Sequence, residues 1–114
     1  MLKFKTEKFI IVGEGDTFKS IAEKHGIRPW QLYKYNELTQ GAQLIEGQRL
    51  YLQPKRRKAD VKYKRHTIKP GENMYIISQK YGVKLKRLYK INRMEFGSEP
   101  EIGYTISLRK KVKK

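Results

Sequence analysis

The sequence predicts an α+β chain of two tandem βααβ units, each a two-stranded antiparallel sheet with two helices on one face. Three observations predict it. The chain matches itself without a gap at a shift of 56 positions. Short β-branched and aromatic runs flank stretches whose apolar residues recur at helical spacing. Gly, Asp, Thr, Asn and Pro punctuate those stretches where helices should start and stop.

At that shift Gly15 falls on Gly71, Ile21 on Ile77, Gly26 on Gly82, Leu32-Tyr33-Lys34 on Leu88-Tyr89-Lys90, Asn36 on Asn92, Gly47 on Gly103 and Leu52 on Leu108. Apolar meets apolar between these points, as with Phe18 and Met74 or Leu50 and Ile106. The units are therefore 9–52 and 65–108. An N-terminal extension (1–8), a basic linker (53–64) and a basic tail (109–114) complete the chain. Two copies are too few for a solenoid, so each is expected to fold as its own small domain.

In the first unit, Phe9-Ile10-Ile11-Val12 reads as a strand. Gly13-Glu14-Gly15 is a turn. Asp16 and Thr17 are good helix caps, because a side-chain oxygen can accept from backbone N–H groups left free in the first turn. Phe18, Ile21 and Ala22 then follow on one helix face, and Gly26 suits the left-handed residue that closes it. Pro29 suits the first position of a second helix, whose inner face and end are marked by Leu32, Tyr35 and Asn36. Residues 37–46 are a polar loop, and 47–52 alternate as a second strand. The second unit repeats the order: strand Thr67-Ile68, cap Asn73, helix face Met74-Ile77-Ser78, stop Gly82, helix Lys84 to Ile91, strand Tyr104 to Leu108.

The formal net charge is +16. A balance that basic points to a polyanion. Its distribution is uneven. The first unit is neutral, with as many acidic as basic residues, while 53–65 and the tail 109–114 carry +11 between them. A nucleic-acid-binding domain carries its basic residues on the folded surface beside its recognition element. The charge map therefore argues against nucleic acid, despite the eight tyrosines and one tryptophan. The basic linker and tail are expected to be solvated, with an anionic envelope polymer as the partner they would attract. There is no cysteine, so no disulfide or thiolate metal site is available. No apolar run approaches the roughly 18 residues of a membrane-spanning helix, so no membrane insertion is expected.

Gly15-Asp16-Thr17-Phe18-x-x-Ile21-Ala22-x-x-x-Gly26-Ile27, followed by Leu32, Asn36, Leu38 and Leu44-x-x-Gly47-Gln48-x-Leu50, resembles the LysM domain. The second unit resembles it through Gly71, Ile77, Gly82-Val83, Leu88, Asn92, Gly103 and Ile106. It departs from the pattern at Glu72-Asn73, Pro100 and Tyr104. The resemblance implies non-catalytic binding of N-acetylglucosamine-containing glycan, peptidoglycan or chitin, in a shallow groove between two loops. Carried over, one wall of the first groove is Gly15, Asp16, Thr17 and Phe18, and the other is Gln43, Leu44 and Ile45. The second groove would use Gly71, Glu72, Asn73 and Met74 against Glu99, Pro100 and Glu101. The resemblance also implies a place in the cell envelope or outside the cell, as the C-terminal part of a longer exported protein such as a wall hydrolase.

Each of these residues also has a plainer role. Asp16-Thr17 is first a helix cap, the glycines are backbone requirements, and Phe18 is a core side chain as much as a groove wall. Trp30 is expected to face outward. His25 and His66 lack metal-ligand spacing, and Glu99 with Glu101 is a carboxylate pair without a cleft to work in. No nucleophile motif, phosphate loop or cofactor signature is present. A protein-interaction module on the same fold is the remaining alternative.

Overall fold

The computed structural model describes residues 8–113. Residues 1–7 of the expected extension and Lys114 of the tail lie outside the described residues. Unit 1 comprises β1 (Phe9–Ile11), α1 (Phe18–His25), α2 (Pro29–Tyr35) and β2 (Arg49–Tyr51). Unit 2 comprises β3 (Arg65–Thr67), α3 (Met74–Tyr81), α4 (Leu85–Ile91) and β4 (Thr105–Ser107). β1 pairs antiparallel with β2 and β3 with β4, giving two separate two-stranded sheets. The chain divides into two compact units between Pro54 and Lys55.

The helix ends follow from local chemistry. Thr17 Oγ1 accepts from Ser20 N and Ser20 Oγ accepts from Thr17 N, both at 2.9 Å, so a reciprocal pair of bonds starts α1. Asn73 Oδ1 does the first of these jobs for α3, accepting from Ile76 N at 2.8 Å. Gly26 and Gly82 close α1 and α3 at φ 69° and 68°, a left-handed geometry that costs glycine nothing.

Each unit buries its own core. In unit 1, Val12, Ile21, Ala22, Leu32, Leu50 and Leu52 pack together, with Phe18, Leu38 and Leu44 against them. In unit 2 the equivalent cluster includes Ile68, Met74, Ile77, Val83, Leu88, Ile106 and Leu108. Trp30 is exposed, as its place early in α2 implies. The start of β3 differs from the expected Thr67-Ile68. It begins at Arg65, and the inward residue is the buried His66. A polar residue at an inward position hides the alternation that would have revealed the strand.

Asn36 and Asn92 do more than end a helix. Asn36 is fully buried; its Nδ2 donates to Leu32 O and Tyr51 O, and its Oδ1 accepts from Tyr51 N at 2.7 Å. Asn92 repeats this with Leu88 O, Ser107 O and Ser107 N. The carboxamide satisfies the strand edge as one residue of a third strand would, and so ties the second helix to the last strand. The residue after each Asn, Glu37 and Arg93, takes a positive φ of 49° and 54°.

The basic segment 53–64 is exposed at Arg56, Arg57, Lys58, Lys62 and Lys64, as expected of a solvated linker, but it is anchored at Lys55 and Ala59. Lys55 is 4% exposed, and its ammonium donates to Gln79 Oε1 at 2.7 Å and Ser78 Oγ at 3.2 Å. Arg56 exchanges backbone bonds with Gly82 O and Lys84 N at 2.8 Å. Ala59 joins the core of unit 2, with its N–H on Leu108 O. The Lys55 ammonium thus finds partners on α3, and the backbone of Arg56 and Ala59 finds them at Gly82, Lys84 and Leu108, which charge counting along the sequence does not register. The described part of the tail is likewise tied down, through Val112 N on Ile91 O and Arg93 Nε on Val112 O.

Candidate functional site

In unit 1 the β1–α1 turn and the α2–β2 loop face one another across the start of α1. The turn is braced by Asp16, whose Oδ2 accepts from Gly13 N at 2.7 Å. Asp16 therefore shapes the turn while Thr17 alone caps the helix. The opposite loop is braced by Gln48, whose Oε1 accepts from Ile45 N at 2.5 Å. Phe18 is half-buried and stacks on Tyr33, with ring centroids 4.5 Å apart.

Between these walls lies an open groove of about 340 Å³, lined by Asp16, Thr17, Phe18, Ala42, Gln43 and Leu44. Five of the seven residues expected there line it. Gly15 stays in the turn at φ 81° and Ile45 is exposed on the outer side of its loop, so neither joins the lining. Ala42 is the lining residue that sequence reasoning missed; a small side chain two positions before Leu44 carries no signal of its own. Phe18 N–H finds no acceptor among the described residues. The groove thus presents one free backbone donor beside an aromatic edge and a leucine.

Unit 2 is built differently at the corresponding place. Glu72 Oε1 accepts from Lys69 N at 2.8 Å and from His66 Nε2 at 2.7 Å, and His66 Nδ1 meets Tyr81 OH at 2.8 Å. The His66 hydrogen bond first, and the Lys69 N–H next, hold the Glu72 carboxyl below its ordinary value. Burial first, and the Glu72 charge next, push the Tyr81 hydroxyl up. Met74 is fully buried, and its N–H donates to Glu99 Oε1 at 2.8 Å. Tyr89 OH donates to Ser98 O at 2.7 Å, steadying the loop that carries Glu99. Tyr104 stands exposed where unit 1 has Gln48. Of the residues expected to face one another here, the structure brings Met74 and Glu99 together, and that bond bridges the two loops.

Residues 10–53 and 66–109 each match the model of the LysM domain, so most of the chain is covered. The chain belongs to the LysM domain family. LysM domains bind N-acetylglucosamine-containing glycans and are binding modules, not catalytic ones. Among solved structures, this LysM pair is similar to the spore cortex-lytic enzyme SleL of Bacillus cereus, at 30% identity and a TM-score of 0.40 over 92% of this chain. It is also similar to SleL of Bacillus megaterium QM B1551, at 22% identity and a TM-score of 0.38 over 90%. The chain spans 23% and 22% of those two enzymes' chains. No match was found among curated proteins. Among the described residues no group of three or more His, Cys, Asp or Glu is arranged to hold a metal, and no helix is long and apolar enough to cross a membrane.

Proposed function

We propose that the chain binds N-acetylglucosamine-containing glycan, peptidoglycan above all, in the groove of unit 1, and so holds an attached protein on a bacterial cell wall without itself catalysing a reaction. The observation that carries this reading is the free Phe18 N–H inside a groove walled by Thr17, Gln43 and Leu44. An acetamido group offers one acceptor, one donor and a methyl. The Phe18 amide supplies the donor for its C=O. Phe18 and Leu44 supply apolar surface for the methyl and the sugar ring. Gly15 and Ile45 act from behind, by setting the two loops. The setting is the cell envelope or the exterior, with the chain as part of a longer exported protein. An anionic envelope polymer is the second partner, met by the basic segments.

Unit 2 contributes less to glycan binding in this reading. Glu99 already occupies the Met74 amide that corresponds to Phe18 N–H, and Pro100 has no N–H to offer. The test is to titrate the full chain with chitohexaose and follow backbone amides by NMR. Shifts at Thr17, Phe18 and Leu44 that exceed those at Asn73, Met74 and Glu101 are expected, with little dependence on salt because the ligand is neutral. No shift in either unit, together with no retention on purified peptidoglycan, overturns the proposal and leaves a protein-interaction role.

A further inference from the structure

The C-terminal tail and the end of the β3–β4 ladder form a concavity of about 440 Å³ on unit 2, whose lining includes none of the candidate glycan-binding residues of that unit. Its lining includes Lys64, Arg65, Arg109, Lys110, Lys111 and Lys113, and among the described residues no carboxylate. Charge of one sign gathered in a concave site focuses the field and attracts an anion more strongly than the same charges spread over a convex surface.

The arrangement is held in place. Leu108 N donates to Lys64 O and keeps the ladder end closed. Ser107 Oγ donates to Lys110 O, the Arg109 guanidinium donates to Ala59 O, Val112 N donates to Ile91 O and Arg93 Nε donates to Val112 O. These bonds fix the tail backbone at alternate positions, and every acceptor is a neutral carbonyl, so the cations keep their charge for a ligand. A tail held this way loses less freedom on binding than a solvated one.

We propose that this concavity is a binding site for a base-free phosphodiester polyanion, a polyol-phosphate chain of the envelope. The proposal deepens the reading of an anionic partner given above and is independent of the unit 1 groove. Phosphate spacing along such a chain lets neighbouring cations be neutralised in turn, with release of counterions. The lining contains no aromatic side chain on which a base would stack, and its one apolar residue is Val112. Single-stranded nucleic acid is held through such stacking platforms as well as charge. A neutral glycan has nothing to gain from six cations.

The experiment uses the full chain and a synthetic glycerol-phosphate oligomer, with binding followed by NMR and calorimetry at several salt concentrations. Amide shifts centred on Arg65, Ser107 and Val112 are expected, with affinity falling steeply as salt rises. Lys110→Gln, Lys111→Gln and Lys113→Gln together should weaken binding by at least about tenfold and flatten the salt slope by about two to three. Lys24→Gln, Arg28→Gln and Lys34→Gln remove the same charge from unit 1 and should change affinity less than about twofold. Val112→Pro keeps all six cations but removes the bond to Ile91 O, and should weaken binding several-fold. Equal losses from the unit 1 and tail variants, or no loss from Val112→Pro, overturn the proposal in favour of net charge alone. A single-stranded oligonucleotide with the same number of phosphates that binds as tightly also overturns it. Chitohexaose shifts at Phe18 and Leu44, read in the same samples, report separately on the glycan groove.

Discussion

Glu99 Oε1 lies 2.8 Å from Met74 N and accepts its hydrogen bond, so a side chain from one loop of unit 2 occupies the backbone donor of the other. At the corresponding positions in unit 1, Gln43 and Phe18 both line an open groove, and the Phe18 amide has no acceptor among the described residues. On the proposed mode of binding, that carboxylate stands where the carbonyl of an acetamido group would stand. Glu99→Ala should free the Met74 amide and raise chitohexaose-induced shifts at Asn73, Met74 and Glu101, while leaving those at Phe18 unchanged. If the unit 2 amides stay silent, Pro100 and Tyr104 rather than Glu99 keep that groove from working.

The buried carboxamides offer a sharper test of stability. Asn36→Ala takes the carboxamide from buried Tyr51 N–H and Tyr51 O, while Leu32 O keeps its bond from the backbone N–H of residue 36. A loss of about 3 kcal/mol is expected for unit 1, since each abandoned buried partner costs about 1–3 kcal/mol. Thermal or urea unfolding followed at unit 1 amides measures it, and Asn92→Ala should do the same to unit 2. A loss under about 0.5 kcal/mol would mean that water replaces the side chain.

Gly26→Val should destabilise unit 1 by about 1 kcal/mol or more. No atom lies within 4 Å of the position its Cβ would take, so the φ of 69°, which a β-branched residue resists, supplies the cost. A melting temperature equal to that of the parent chain would contradict the left-handed assignment. Gly26→Asn, which tolerates this geometry better, should lose less.

Acid should act on unit 2 through Glu72. Its folded value is depressed, first by the bond from His66. A depressed carboxylate contributes stability that is complete above its unfolded value and is lost as the pH falls through the lower folded value. Glu72→Gln removes that contribution at every pH. The stability gap between parent and variant should then be widest at about pH 7 and close by about pH 2. A gap that is the same at both ends would assign the loss to hydrogen-bond geometry, not to charge.

The two βααβ units were legible because their signals are periodic and local: Phe18, Ile21 and Ala22 on one face, Thr17 before them, Gly26 after. The groove was legible through a resemblance, since its lining has no spacing rule of its own. Three things stayed hidden. His66 fills an inward strand position with a polar ring, so β3 looked shorter and later than it is. Glu99 reaches across 25 residues to Met74, a contact that no local pattern encodes. Lys55 and Ala59 sit in a stretch whose charge proclaims solvent, yet the Lys55 ammonium bonds to Gln79, the Ala59 N–H to Leu108 O, and Arg56 between them pairs with Gly82 and Lys84.

That last arrangement bears on how the second domain can be dissected. The family match begins at residue 66 and the internal repeat at 65, but the packed structure extends back to Lys55. A fragment cut at Arg65 would discard Ala59 and the Arg56 backbone, and would lay Val83 and Leu108 open to water on the side these residues cover. Its weak folding would then be an artefact of where the gene was divided. A piece intended to stand alone should therefore start at Lys55, about ten residues before the family match begins.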